Sequence, residues 1–160
     1  MLKICVRYKD LDVHELLSVY EESLQMKEAH NALTAFQIEN DFCSYLEDDF
    51  FTIAGAFYAL WIREGHYVSA LRMEPYNDGL IITGLETLPS CRRRGYAYQL
   101  LQAVKEYVMR TNHKPIYSHI DKRNTASLSL HHKCGFMQIH DFGRLIDGTV
   151  SNNYCTLMLT

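Results

Sequence analysis

Disulfide chemistry is the first thing this sequence lacks. Its 160 residues hold five cysteines, Cys5, Cys43, Cys91, Cys134 and Cys155, an odd and scattered set with no CxxC pair. That excludes a disulfide framework and a structural zinc site as the source of stability, and suits a reducing compartment. Prolines number only three, and there is no low-complexity linker or internal repeat, so residues 1–160 read as a single domain. Long apolar runs are missing too. The strongest, Ile53 to Ile62, is too short to cross a bilayer, and Met1-Leu2-Lys3-Ile4 leads into a strand pattern rather than a signal segment. A cytoplasmic protein with no membrane partner is expected. Neither sign of charge dominates: the net charge is −3, which denies the chain the broad positive field that nucleic-acid binding needs.

What is present is a well-patterned globular chain, 48% hydrophobic and 22% charged, long enough to bury a real core. Leu2 to Tyr8 alternates as a strand. Asp12 begins a helix, with Glu15 in capping-box position, and Val13, Leu16, Leu17, Tyr20 and Leu24 follow at helical spacing. A second helix is expected from Asn31. Strands follow over Ala56–Ile62, Tyr67–Glu74 and Leu80–Leu88. The breaks between them, Arg63-Glu64-Gly65 and Asn77-Asp78-Gly79, carry residues that tolerate the positive φ of tight hairpins. Ala97, Leu100, Leu101, Val104 and Val108 mark the strongest amphipathic helix. A short strand (Ile116–Ile120), a helix (Thr125–Cys134) stopped by Gly135, and strands Met137–Ile146 and Asn153–Thr160 complete the order β-α-α-β-β-β-α-β-α-β-β.

The chemistry-bearing stretch is Pro89-Ser90-Cys91 followed by Arg92-Arg93-Arg94-Gly95-Tyr96-Ala97, between the Leu80–Leu88 strand and the amphipathic helix. A helix N-terminus presents unpaired N–H groups and partial positive charge to an anion. Gly95 keeps the backbone approachable, Ala97 stays small, and the arginines supply donors shaped for phosphate oxygens. Taken alone, a basic glycine-containing loop is a weak signal, since it can simply connect a strand to a helix.

Arg92-x-x-Gly95-x-Ala97 resembles the coenzyme A signature of the GNAT superfamily of N-acetyltransferases, Arg/Gln-x-x-Gly-x-Gly/Ala. The likeness continues downstream in Asn124, in His131 seven positions later, and in Gly135-Phe136, and the element order agrees over nearly the whole chain. The resemblance implies an α/β (α+β) fold, a mixed and mostly antiparallel sheet of about seven strands flanked by about four helices. It also implies an acetyl-CoA co-substrate and no metal. Backbone groups of Arg93, Arg94, Gly95, Tyr96 and Ala97 would hold the pyrophosphate, with Arg92 and its neighbours either on the 3′-phosphate or solvated. Leu85, Glu86 and Thr87 would face the pantetheine arm, and Asn124 would lie beside it while also serving as an ordinary helix N-cap.

The implied reaction is direct acetyl transfer to a primary amine of a small molecule or peptide. It needs a base for the amine and an acid near the departing sulfur. Many relatives place a tyrosine seven residues after the Asn; here His131 stands there, an imidazole able to donate near neutral pH. Tyr96, Tyr98 and Tyr117 are possible replacements. His119 and Glu86 are the alternative bases. Cys91 and Cys134 lack a partner base and are poor nucleophile candidates. The acceptor is expected near the first two helices and the late hairpin, whose Glu21, Glu22, Glu28, Glu39, Glu47, Asp48 and Asp49 would suit a cation or simply form a solvated face. A non-catalytic acyl-CoA-binding module on the same fold is the competing reading. Both a monomer and a homodimer remain open.

Overall fold

The computed structural model describes every residue except 112, 113 and 146. Nine strands and five helices follow in chain order: β1 (Leu2–Cys5), α1 (Val13–Val19), α2 (Glu21–Asn31), α3 (Ala35–Ser44), β2 (Phe57–Arg63), β3 (His66–Tyr76), β4 (Gly79–Thr87), α4 (Tyr96–Thr111), β5 (Ile116–Asp121), α5 (Thr125–Lys133), β6 (Met137–His140), β7 (Gly143–Arg144), β8 (Val150–Ser151) and β9 (Tyr154–Leu159). Seven strands form one sheet in the order β1-β2-β3-β4-β5-β9-β6, and β7 and β8 make a separate small hairpin. All pairs in the large sheet are antiparallel except β4 with β5. This is the expected α/β sheet. The helix count is five rather than about four, and two local expectations change with it.

The first concerns the opening helix. Asp12 caps it as expected, its Oδ1 accepting from the Glu15 N–H at 3.1 Å. The Glu15 carboxylate, however, turns to His66 and to the Tyr67 N–H instead of closing the box. The helix then breaks at Tyr20, whose φ of −94° and ψ of 6° separate α1 from α2. The next helix begins at Ala35, where Thr34 and Gln37 form the reciprocal capping box, not at Asn31. The second change is at Met137–Ile146, which is not one continuous strand: β6 ends at His140 and β7 begins at Gly143, while Ile146 lies outside the described residues.

Both hairpin turns form, for different reasons. Glu64 and Gly65 take φ of 51° and 86°, the paired positive values of a tight two-residue turn. At the second turn it is Asn77 that takes the positive φ, 49°. Gly79 is there because the chain passes close by: a Cβ would lie 2.1 Å from the Pro115 carbonyl oxygen, which accepts from the Leu80 N–H. Gly79→Ala should therefore force β4 and the start of β5 apart, costing about 2–3 kcal/mol and lowering the midpoint of thermal unfolding by several degrees. An unchanged midpoint would show that the turn gives way freely.

The sheet carries a core on each face. On one face α4 buries Leu100, Leu101, Val104 and Val108 against Leu71, Met73, Leu80, Ile82, Ile116 and Leu157. On the other, Leu16, Val19, Tyr20, Leu24, Ile38, Leu46 and Phe50 pack over Tyr58, Leu60 and Ala70. The alternation of β2 and β3 between these two sets follows from the period of two along a strand.

Candidate active site

The site arises where the sheet comes apart. β4 pairs with β5 in parallel only over Leu80↔Ile116, Ile81↔Tyr117 and Ile82↔Ser118. β4 continues to Thr87 beyond that point, paired only with β3. The cause is local to Gly84, which takes a φ of 58° as the β3–β4 register shifts between Ala70 and Arg72. A bulge turns the strand, and β4 then leads away from β5.

A cavity of about 860 Å³ fills the divergence. Its walls include Thr83, Gly84 and Leu85 from β4, His119 and Asp121 from β5, and Asn124 and His131 from the next helix. A second hollow of about 330 Å³ lies at the far end of β4, under the start of α4, lined by Thr87, Arg92, Arg93, Gly95, Ala97 and Lys133 among others. Among the described residues no carboxylate lines it. The Gln99 N–H donates to the Gly95 carbonyl at 3.0 Å, so the N–H groups of Tyr96, Ala97 and Tyr98 precede the first helical bond and are free for an anion. Gly95 takes a φ of 80°, and a Cβ there would meet nothing within 4 Å. Its side faces open space, as an approachable backbone requires.

The individual arginines divide. Arg93 and Arg94 are exposed around Gly95, and Arg93 takes a left-handed φ of 61°. Arg92 turns back: its guanidinium pairs with Glu22 of α2, and its Nε donates to the Thr87 carbonyl at 3.3 Å. It thus ties α2 to the end of β4. Lys133, absent from the sequence-based expectations, lies over the Tyr98 ring at 4.8 Å and adds a cation from α5. Its position one helical turn from the Ala126–Leu130 wall could have been found only by knowing that α5 borders the cradle.

Asn124 caps α5, its Oδ1 accepting from the Ser127 N–H at 3.1 Å. Seven residues on, His131 is 1% exposed and stands edge-on to Phe136 at 5.0 Å. Its Nδ1 lies 2.8 Å from the Ser127 carbonyl. A carbonyl only accepts, so the proton is on Nδ1. Nε2 is buried with no partner among the described residues, in a side chain that lines the cavity. Burial pushes the His131 pKa below its ordinary value. The resting ring is therefore neutral and presents a lone pair, an acceptor rather than a donor.

His119 is held at both nitrogens, Nδ1 at 3.0 Å from the Thr156 Oγ1 and Nε2 at 3.1 Å from the Tyr76 hydroxyl. Both hydroxyls donate elsewhere, Thr156 to the Phe142 carbonyl at 2.7 Å and Tyr76 to the Arg144 carbonyl at 2.6 Å. A neutral ring cannot satisfy both contacts, whereas a protonated one can. Burial nevertheless pushes the His119 pKa down. The ring is thus neutral at rest with a ready berth for one proton.

Glu86 sits apart from both hollows. Its carboxylate accepts from the Ser23 hydroxyl of α2, and burial pushes its pKa up. The acidic residues of the first helices are also elsewhere: Glu22 is spent on Arg92, and Glu21, Glu28 and Glu39 line an outer hollow that shares no residue with the central cavity. Two of the charged residues that line the cavity, Arg72 and Glu74 on β3, carry no local sequence signature. Among the described residues no three metal-ligating side chains gather, and no helix is long and apolar enough to cross a membrane.

A sheet split between two parallel strands, with a cationic helix N-terminus at the end of β4, can seat an extended ligand that carries an anion. The family described as Acetyltransferase (GNAT) family matches residues 13–136, and the chain belongs to that family. Similar solved structures include the ribosomal-protein-alanine N-acetyltransferase of Brucella melitensis, 19% identical with a TM-score of 0.69 over 99% of this chain and 98% of that one. N-acetyltransferase PseH of Campylobacter jejuni, in complex with acetyl coenzyme A, is 13% identical with a TM-score of 0.67 over 100% and 99%. The PaiA N-acetyltransferase of Thermoplasma acidophilum, in complex with coenzyme A, is 11% identical with a TM-score of 0.67 over 99% and 98%. These likenesses concern the fold. No curated protein sequence matches the chain.

Proposed function

We propose that this protein is an N-acetyltransferase that moves the acetyl group of acetyl-CoA directly to an amine. The observation that carries the reading is the pair of hollows set one after the other along β4. One is cationic and free of carboxylates under the α4 N-terminus; the other opens where β4 loses β5 and contains the unpartnered His131 Nε2. The first fits a pyrophosphate, held by backbone N–H groups around Gly95 with Arg93, Arg94 and Lys133 nearby. Strand β4 from Leu85 to Thr87, lacking β5, fits an extended amide-bearing arm that adds to it as a strand would. Arg92 supports this wall by holding α2 to Thr87.

The bound co-substrate supplies an activated thioester. The residues of the chain supply proton handling and exclusion of water. Amide formation moves one proton from the amine nitrogen to the departing sulfur. His131, neutral with Nε2 unpartnered, can take that proton and return it to sulfur, so the ring ends as it began. His119, neutral between two hydroxyl oxygens that can each accept, offers a second berth for one proton. Glu86, bonded to Ser23, serves this scheme by seating α2 rather than by touching the reacting atoms.

Calorimetry with acetyl-CoA, followed by release of free thiol in the presence of amines, tests the reading. Binding at micromolar concentration and amine-dependent thiol release are expected. Binding without release for any amine would leave an acyl-CoA-binding module, and failure to bind any CoA ester would overturn the reading.

A further inference from the structure

Arg72 is a charge without a counterion. It projects from β3 on the side of the sheet covered by α1, α2 and α3, its guanidinium 5.4 Å from the centre of the Tyr45 ring. It lies so close to Gly84 that a Cβ there would fall 3.0 Å from Nη2 and 3.1 Å from Nε. Nε is buried and has no hydrogen-bond partner. Among the described residues no carboxylate comes within ion-pair distance of it. The aromatic neighbours do not neutralise it either: burial raises the pKa of Tyr20, Tyr45 and Tyr58, the last to about 12, so all three phenols keep their protons. Tyr20 spends its proton on the Gly84 carbonyl. A half-buried guanidinium whose Nε is withdrawn from water in this way is costly unless an anion joins it.

Space for that anion exists. Arg72 and Tyr45 line both the central cavity and a hollow of about 440 Å³ between α2 and α3. Lys27 and Asp41, which also line that hollow, are exposed and of opposite sign, whereas Arg72 is half-buried with its Nε withdrawn from water. Two residues along β3, on the same face, Glu74 is 7% exposed and also lines the central cavity. Its carboxylate accepts from the Thr83 hydroxyl at 3.1 Å. One cation and one anion thus stand on one wall, at the bulge where β4 leaves β5.

We propose that the acceptor is an amine that also bears a carboxylate, such as an α-amino acid, with Arg72 gripping the carboxylate and Glu74 the ammonium. This rests on the acetyl-transfer reading and names its substrate class. The acceptor ammonium loses one proton to solvent and one to the departing sulfur as the N–C bond forms and the C–S bond breaks. It is not the generally cationic acceptor that the acidic first helices suggested, because those carboxylates do not face the cavity.

The test compares α-amino acids with their C-terminal amides and their decarboxylated amines as acceptors, at saturating acetyl-CoA. In the unaltered protein kcat/KM for the acids should exceed that for the amides by at least about tenfold, as expected for one charge-assisted hydrogen-bonded contact. Arg72→Gln should bring the ratio to within about threefold, and Arg72→Lys should keep it on the side of the acids. Damage that is merely structural would lower acids and amides together and leave the ratio intact. Amides as good as acids, a ratio indifferent to Arg72→Gln, or no carboxylate-bearing acceptor acetylated would each overturn the proposal. If acetyl-CoA still binds in calorimetry, only the acceptor assignment falls; if it does not, the acetyl-transfer reading falls with it.

Discussion

Gly95→Asp is expected to weaken acetyl-CoA binding by about a hundredfold or more while leaving the fold intact. Gly95 takes a φ of 80° and is exposed, and aspartate is among the few side chains that visit the left-handed region at modest cost. The added Cβ meets no protein atom within 4 Å, so little strain enters the core. What enters is a carboxylate, placed in the space where a phosphate is proposed to lie. Two like charges about 5 Å apart at an effective dielectric of about 20 repel by roughly 3 kcal/mol, a little over a hundredfold in affinity. Gly95→Asn, nearly the same shape without the charge, separates bulk from electrostatics and should cost much less. Titration calorimetry reads the affinities and thermal unfolding checks the fold. Affinity unchanged in Gly95→Asp would remove the cradle from the coenzyme site.

The glycine turn and the helix N-terminus after β4 were legible because their physics is local. A strand, a tight glycine-bearing turn and an amphipathic helix are all written within Leu80–Val108, so the free N–H groups at Tyr96–Tyr98 follow from order along the chain. The same holds for Asn124 over α5. Arg92 shows where local reasoning ends. It belongs to the motif, yet its guanidinium answers to Glu22, 70 residues away in sequence, a pairing set by how α2 settles on the end of β4.

The cavity wall was not legible for a similar reason. Arg72 and Glu74 sit in a strand whose pattern marks burial, and nothing adjacent in sequence says that their shared face opens onto a split. The split itself depends on Gly84, where a lone glycine within a strand signals a bulge only in general terms. The helix break at Tyr20 belongs here too. Tyr20 continues the apolar spacing of α1, but its hydroxyl reaches the Gly84 carbonyl, and this tertiary contact accompanies the change in direction that propensity alone does not show.

His131→Phe should lower turnover by about a hundredfold or more and leave acetyl-CoA affinity within about threefold. The ring is 1% exposed and already packs edge-on against Phe136, so a phenyl group fits the volume. What is lost is Nε2, the open acceptor. The pH dependence separates this from a packing defect. Burial lowers the folded-state pKa of His131, so the ring stays neutral below the ordinary histidine value, and turnover falls only at more acid pH, where the lone pair is taken up. His119 is shifted the same way, so the acid limb of the unaltered protein contains two steps. His131→Phe should remove one and His119→Ala the other, each leaving a shallower limb at a lower plateau. His131→Tyr places a phenol that keeps its proton to high pH and cannot serve as the acceptor, so the His131 step at low pH should vanish while turnover stays below that of the unaltered protein. Equal turnover of His131→Phe and the unaltered protein from about pH 6 to 9 would show that sulfur departs without help from this ring.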